Sequence, residues 1–209
     1  MLFDNWKENL QPLIDKYKDK KHPLAYENLY QLLIMIILAA QNSDANINQI
    51  SIPFFEKYPN LESLSKAMPS EISNYISTVE NYVNKSIWLS KTAHLIQSND
   101  KIPTNLEGLI NLKGVGRKSA NVILREINKD PKGIIVDLHV IRVVPRIGLT
   151  PKIKDGNKVE KLLMQQLPYE IWNDIGMAFS FLGREICRPT NQKCNICPIN
   201  IHCNYFNKL

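Results

Sequence analysis

Cysteine is absent from residues 1–186 of this 209-residue chain, and long apolar runs are absent from all of it. The longest apolar run, Leu32–Ala40, is much shorter than the roughly 20 residues that a membrane span requires, so it predicts a buried helix. No stretch alternates apolar and polar residues as a strand would, and no repeat, low-complexity segment or long linker is present. These absences exclude a membrane protein and a β-rich protein, and they favour a compact all-α fold.

The amino terminus also lacks the apolar stretch of a signal peptide, since Asp4, Lys7 and Glu8 stand among its first residues. We therefore expect a cytoplasmic protein in a reducing compartment and not a secreted one. Structural disulfides are not expected there.

All four cysteines lie in one short segment, with the spacing Cys187-x6-Cys194-x2-Cys197-x5-Cys203. Four thiolates this close in sequence indicate a single metal centre. Structural zinc accepts four thiolates, but it usually takes two separate Cys-x2-Cys pairs, and this segment has one. Iron–sulfur clusters also use four thiolates, with spacings that differ between families. The spacing alone leaves zinc and an iron–sulfur cluster open.

The rest of the chain reads as helices, because apolar residues recur at steps of three and four. Ser70 is expected to cap one helix, and Thr104 with Glu107 has the pattern of a capping box. Further helices are expected at residues 87–96, 118–127, 138–144, 158–167 and 169–185. The net charge of +6, with a pI of about 9.1, favours an anionic partner without identifying it.

A tight turn joins two of these helices within Leu112–Ala120. Its two glycines, Gly114 and Gly116, allow a sharp bend and a close approach of the backbone to a bulky group. The turn leads into a helix start, where unpaired N–H groups favour a phosphate. Three cations stand at the same place: Lys113, Arg117 and Lys118. An ordinary corner between two helices, with solvated lysines, explains the glycines alone equally well.

A second segment, Ile135–Val143, places one acid between an apolar approach and an amphipathic helix. Asp137 stands where an N-cap belongs, and capping alone would explain it. A functional carboxylate can occupy the same position, because capping fixes the side chain without removing its charge. His139 is expected to be a packed histidine, and the remaining histidines have no ligand-like neighbours in sequence: His22, His94 and His202.

Three features now coincide in one chain: the Leu-x-Gly-Val-Gly-Arg-Lys turn, the Val-Asp-x-His-Val-x-Arg-Val segment and the cysteine spacing. Together they resemble the endonuclease III family of helix-hairpin-helix DNA glycosylases. Two upstream segments, Ala40–Asp44 and Tyr82–Lys85, are similar to that family's Ala-Gln-x-x-Asp and Tyr-x-Asn-Lys motifs. The resemblance extends from about Tyr26 to Cys203.

This resemblance implies a two-lobed helix-hairpin-helix DNA glycosylase fold with a DNA-binding cleft between the lobes. One lobe is a six-helix bundle over residues 23–131. The other is a discontinuous helical domain, residues 1–22 and 132–209, that carries a [4Fe–4S] cluster on Cys187, Cys194, Cys197 and Cys203. The implied partner is double-stranded DNA containing damaged bases or abasic sites, and a monomer is expected.

Site residues follow from the same resemblance. Lys118 matches the family's amine nucleophile and Asp137 its essential carboxylate. Gln41 would fill the gap left by a nucleotide flipped out of the duplex. The remaining contacts to DNA phosphates would come from the turn: Lys113, Gly114, Val115, Gly116 and Arg117. The implied activity is excision of damaged bases, expected to be oxidised pyrimidines, with cleavage at abasic sites through a lysine Schiff base.

Several residues depart from the family pattern. Glu80 and Asn81 replace a glycine and a bulky apolar residue in a loop that wedges into DNA. Leu138, Lys113 and Pro145 replace a threonine, a proline and an asparagine. The alternatives are a monofunctional glycosylase for mismatched or alkylated bases, and a catalytically silent DNA-binding protein. Monofunctional relatives lack lysine at the Lys118 position, and a silent protein would have lost the lysine or the carboxylate.

Overall fold

A computed structural model describes residues 5–208 of the chain, and every regular element in this range is helical. The all-α prediction is therefore confirmed. The eleven α-helices of the described range are α1 Trp6–Tyr17, α2 Leu29–Ala39, α3 Asp44–Lys57, α4 Leu61–Ser65, α5 Pro69–Tyr75, α6 Tyr82–Ile96, α7 Leu106–Ile110, α8 Arg117–Glu126, α9 Leu138–Ile147, α10 Gly156–Gln166 and α11 Trp172–Glu185. Short 3₁₀ turns lie at Asn99–Lys101, Tyr169–Ile171, Cys194–Ile196, Asn200–His202 and Phe206–Lys208. Within the described residues, no helix has the length and apolar character needed to cross a membrane.

The chain divides into two compact units. One comprises residues 21–129 and contains the glycine turn, and we call it the hairpin unit. The other combines residues 1–20 with residues 130–209, and we call it the cysteine unit.

The hairpin unit is built around α2, the helix that the longest apolar run predicts. Its residues 32–38 are all buried, and it packs against α3, α6 and α8. Asn28 caps its start by accepting a hydrogen bond from the Gln31 backbone N–H at 3.0 Å. A helix that is apolar on every side is stable only at the centre of a bundle, because each face must be covered.

The cysteine unit is organised by α11, which packs against α9 on one side and α1 on another. Two glycines allow this close packing. A Cβ atom on Gly176 would stand 2.6 Å from the Ile135 carbonyl oxygen, and one on Gly183 would stand 2.8 Å from the His139 Cβ. The backbone on either side of Asp137 therefore lies directly against α11.

Two helix starts differ from the sequence prediction. Ser70 is not an N-cap: α5 begins one residue earlier, at Pro69, and Met68 is the capping residue. Proline at the first helical position has no N–H to leave unpaired, and the Glu71 carboxylate accepts from the Met68 N–H at 2.7 Å. Thr104 does not cap α7 either.

Asn105 caps α7 instead, one residue beyond Thr104, and its side chain accepts from the Gly108 N–H at 2.7 Å. Asparagine and threonine both favour this position, so sequence could not choose between neighbours. The helix after Asp137 is also longer than predicted. It continues through Pro145 to Ile147, because Gly148 ends it with a φ of 104° and donates to the Val144 carbonyl at 3.1 Å.

Candidate active site and cysteine centre

The glycine turn joins α7 to α8 as a tight hairpin. Gly114 has a φ of 85°, and a Cβ atom there would lie 2.9 Å from the Trp88 ring and 3.1 Å from the Ile37 side chain. Glycine is therefore required by both backbone conformation and space. The Val115 N–H closes the turn on the Leu112 carbonyl at 3.1 Å, and the Val115 side chain is buried. Val115 anchors the hairpin to the interior of the unit.

Gly116 and the start of α8 form the outer side of this hairpin. No atom lies within 4 Å of a Cβ built on Gly116, so the surface is open there. Lys113 and Lys118 are exposed, and Lys118 is the second residue of α8. A shallow cavity of about 560 Å³ is lined by residues 110–116, Lys113 among them, together with Ala40 and Trp88. The hairpin thus places the Lys113 cation at an open cavity that ends next to the start of α8, an arrangement that suits a phosphate.

Gln41 lies in the loop after α2, next to this cavity. Its φ of 62° is in the left-handed region, which is uncommon for residues other than glycine. The Asn42 side chain holds the loop by donating to the Leu38 and Ala40 carbonyls at 3.1 and 2.8 Å. Its oxygen accepts from the Glu80 backbone N–H at 2.9 Å. Asn42 therefore links the Gln41 loop to the loop of Glu80 and Asn81.

Lys85 supports the same loop from inside the hairpin unit. Its side chain is 2% exposed, and its Nζ donates to the Leu38 and Ala40 carbonyls at 2.8 and 2.6 Å. Burial lowers the pKa of Lys85, and the Glu80 carboxylate opposes that effect. A buried ammonium needs hydrogen-bond acceptors around it. The acceptors of Lys85 are the carbonyls at the end of α2, directly before Gln41.

We expect Lys85→Met to weaken excision while leaving binding to undamaged duplex DNA nearly intact. The Leu38 and Ala40 carbonyls lose a charged donor and keep only the Asn42 amide, which costs about 1–3 kcal/mol of stability and weakens the support of the Gln41 loop. Thermal melting, duplex binding and single-turnover excision would be measured side by side. Lys91→Met, at an exposed position of the same α6, is the matched control. If Lys85→Met excises at the wild-type rate, Lys85 has no role in the active site.

Asp137 is the N-cap of α9, as predicted. Its Oδ1 accepts from the His139 and Val140 N–H groups at 2.8 and 2.9 Å. Its Oδ2 accepts from the Ser180 hydroxyl on α11 at 2.5 Å. The carboxylate is partly exposed, so it is fixed by three donors and is still accessible to a ligand. Lys118 belongs to the hairpin unit and Asp137 to the cysteine unit.

Two arginines of α9 connect that helix to the first cysteine. Arg142 donates to the Gly183 and Cys187 carbonyls at 2.8 and 3.2 Å. Arg146 donates to the Cys187 sulfur at 3.3 Å and to the Arg188 carbonyl at 2.7 Å. The cysteine segment is therefore fastened to the helix that begins at Asp137.

The four cysteines surround one small cavity of about 20 Å³, together with apolar residues such as Leu182 and Ile199. All four are free thiols. Burial raises the pKa of Cys197 to about 11. Across residues 5–208, no group of three His, Cys, Asp or Glu side chains has the arrangement needed to hold one metal ion. Four thiols around one cavity are a donor set that both zinc and an iron–sulfur cluster accept.

Sequence reasoning missed Lys85, Ser180 and Arg146 as parts of these sites. Lys85 belongs to a quoted motif, but only the folded structure shows its ammonium buried under the Gln41 loop. Ser180 and Arg146 lie 43 and 41 residues from the groups they bond, Asp137 and Cys187, and no local pattern marks them.

Comparison with known proteins agrees with this geometry. Residues 34–169 match the family described as HhH-GPD superfamily base excision DNA repair protein. Endonuclease III of Buchnera aphidicola subsp. Schizaphis graminum is 32% identical, with 98% of this chain and 99% of the relative covered. Endonuclease III of Rickettsia felis is 34% identical, covering 90% and 88%.

Among solved structures, a trapped endonuclease III–DNA covalent intermediate, an estranged-adenine complex, superimposes with a TM-score of 0.86. It is 30% identical in sequence, and the match covers 97% of this chain and 95% of that one. The family match spans more than half of the residues, and the relatives match over nearly their whole length. The chain belongs to the HhH-GPD superfamily of base excision DNA repair proteins.

Proposed function

We propose that this protein is a bifunctional DNA glycosylase and abasic-site lyase that removes oxidised pyrimidines, with Lys118 as nucleophile and Asp137 as the assisting carboxylate. The observation that carries the proposal is the exposed Lys118 amine at the second position of α8, directly after the glycine hairpin. In this proposal the hairpin unit and the cysteine unit are the two lobes of the glycosylase.

The reaction begins when the free amine of Lys118 attacks C1′ of the damaged nucleotide. The bond from C1′ to the base breaks, and the base leaves with the bonding electrons. Opening of the sugar ring gives a Schiff base between Lys118 and C1′. Loss of a C2′ proton then expels the 3′ phosphate by β-elimination, and hydrolysis of the Schiff base releases the lysine.

Asp137 stabilises the positive charge that develops on the sugar as the base departs. A carboxylate held by three donors does not need to reorganise during the reaction, which is the condition for effective electrostatic catalysis. Leu138 replaces the family's threonine immediately after Asp137, and its side chain is 79% exposed. That substitution leaves the capping bonds of Asp137 in place.

The hairpin binds the DNA backbone without reading its sequence. Backbone N–H groups at Gly116 and at the start of α8 donate to phosphate oxygens, and Lys113 and Arg117 add positive charge. Gln41 enters the duplex where the damaged nucleotide has left it. Its loop is already bonded through Asn42 to the loop of Glu80, so the two probing loops act as one piece.

Cys187, Cys194, Cys197 and Cys203 hold a [4Fe–4S] cluster in this proposal. The donor set fits, because four free thiols line a common cavity and Arg146 donates to the sulfur of Cys187. The cluster supplies a covalent cross-link for a segment that has only short 3₁₀ turns of its own. Its role is therefore structural, and all four thiols are used as ligands.

Cys197→Ser is expected to lower yield, thermal stability and DNA affinity together, because metal binding and local folding are coupled. Protein purified without oxygen should be yellow-brown, absorb broadly near roughly 400 nm and contain about four irons per chain. Asn195→Ser, an exposed change in the same 3₁₀ turn, should leave all of these unchanged. Stoichiometric zinc without iron or acid-labile sulfide would contradict the cluster.

Strand cleavage on a panel of duplexes tests the proposed function. The lesions are thymine glycol, uracil, an alkylated purine and an abasic site. We expect cleavage at the abasic site and at thymine glycol, and none at the alkylated purine. Base release without strand cleavage would favour a monofunctional enzyme. Binding without either reaction would favour a silent DNA-binding protein.

A further inference from the structure

A second cavity, of about 670 Å³, opens on the cysteine unit and is not lined by Lys118, Asp137 or the cysteines. Residues of α9, the segment 150–154 and the carboxyl-terminal segment 204–208 form its walls. We call it the basic pocket. Apolar side chains make one wall of it, at Leu138, Ile141 and Pro145.

Five cations and no acid line the basic pocket. Arg142 and Arg146 bond to backbone carbonyls, to the His139 ring and to the Cys187 sulfur, and none of these bonds is to a carboxylate. Lys152, Lys154 and Lys208 are exposed, and their ammonium groups form no hydrogen bond or ion pair within the described part of the chain. Such a concentration of one sign of charge in a concave surface attracts an anion.

Thr150 marks the pocket as a built site. It lies in the wall, its side chain is 7% exposed, and its hydroxyl finds no hydrogen-bond partner among residues 5–208. Buried hydroxyls are nearly always bonded, because leaving one unpaired is unfavourable. An unpaired hydroxyl at the wall of a cation-lined cavity is a polar group that a ligand there could satisfy.

We propose that the basic pocket binds a nucleotide, with the phosphate at Lys152, Lys154 and Lys208 and the sugar and base against the apolar wall. An anion alone would not need that wall, and an apolar ligand alone would not need the lysines. A nucleotide has both parts, and its sugar and base offer partners for the Thr150 hydroxyl.

The favoured source is a nucleotide of the DNA that carries the lesion, so this inference rests on the proposed function. The pocket begins at Leu138, the residue after Asp137, and extends along α9 to Arg146. That distance is about 12 Å along the helix axis, the rise of roughly three or four nucleotides of one strand. A strand that ran along α9 from the lesion would therefore place its flanking backbone in the pocket. A free nucleotide shares the chemistry and is the other source.

The test compares three variants with the wild type in binding and trapping. Lys152→Glu/Lys154→Glu reverses the charge of the pocket, and Thr150→Val removes the hydroxyl at nearly constant shape. Lys161→Glu, on exposed α10 outside the pocket, controls for the charge change. Each protein is titrated against duplexes with a non-cleavable abasic analogue, shortened base pair by base pair from either end, over a salt series. Thymidine monophosphate is titrated separately, and borohydride trapping is run on an abasic duplex.

For the wild type, we expect affinity to fall when the duplex is shortened at one end. The double lysine variant should bind long duplexes more weakly, with a salt slope lower by about two, and should not respond to that shortening. Thr150→Val should melt at the same or a higher temperature and lose affinity several-fold. If the wild type but not the variants binds thymidine monophosphate, and duplex length does not change DNA affinity, the pocket binds a free nucleotide and not a nucleotide of the DNA.

Variants that bind every duplex and the free nucleotide as the wild type does would overturn the proposal. Trapping separates that outcome from a failure of the proposed function. If the pocket is irrelevant, all three variants are still trapped on abasic DNA. If the wild type itself is not trapped, the lyase assignment is wrong whatever the pocket binds.

Discussion

Lys118→Ala is expected to abolish the borohydride-trapped adduct with abasic DNA and strand cleavage at abasic sites. The amine supplies the only bond that can be reduced to a stable link between protein and sugar, so its loss leaves nothing to trap. Binding to the same duplex should change little, because the hairpin N–H groups and Lys113 remain. The measurement is denaturing gel electrophoresis of borohydride-treated complexes, with anisotropy for binding.

Lys129→Ala is the matched control, since Lys129 is an exposed lysine just beyond the end of the same helix. It should be trapped as efficiently as the wild type. If Lys118→Ala is trapped as efficiently as the wild type, another amine is the nucleophile. Lost binding together with lost trapping would instead indicate that Lys118 serves the phosphate contact.

Asp137→Asn is expected to lower the rate of base excision by about 10²-fold or more, the scale of losing one preorganised electrostatic group. Asparagine caps helices as well as aspartate does, and its oxygen can accept from the same two N–H groups. Its amide can donate to the Ser180 hydroxyl, which now donates to Asp137. The melting temperature should therefore change little while single-turnover excision falls.

Asp155→Asn provides a matched capping control in the same unit. Asp155 caps α10 through an equivalent pair of bonds, from the Asn157 and Lys158 N–H groups at 2.9 and 3.2 Å. The two substitutions should have similar small effects on melting, but only Asp137→Asn should lower the rate of excision. If Asp137→Asn melts much earlier and the folded remainder excises normally, Asp137 serves as a cap alone.

Sequence was sufficient wherever a local pattern decides the structure. The apolar run of α2 and the cap at Asp137 could be predicted, because composition and helix-start chemistry act over a few residues. The shift of the N-cap from Ser70 to Met68 could not be predicted, since Pro69 and Glu71 favour Met68 as the cap while Ser70 is itself a common capping residue. Long-range hydrogen bonds could not be predicted for a different reason.

The Lys85 ammonium, for example, meets the Leu38 carbonyl 47 residues earlier in the chain. Nothing in a lysine's immediate neighbours distinguishes such a buried position from a solvated one. The order of the motifs nevertheless indicated the family, and the family match over residues 34–169 includes both the hairpin and Asp137. The bonds that hold those residues in place required the folded chain.

The backbone around Asp137 and the loops of Gln41 and Asn81 differ in how much amino-acid substitution their surroundings allow. Gly176 and Gly183 leave no room for even a methyl group beside Ile135 and His139, so the backbone around Asp137 tolerates little variation. Gln41 and Asn81 instead are exposed and have left-handed backbone conformations. Across the described residues, asparagine, glycine and glutamine all occur with positive φ, so several residue types can adopt this conformation. If Gln41 and Asn81 probe the DNA and Asp137 assists bond cleavage, as proposed, descendants of this sequence should diverge in the lesions they recognise before they diverge in the bond they break.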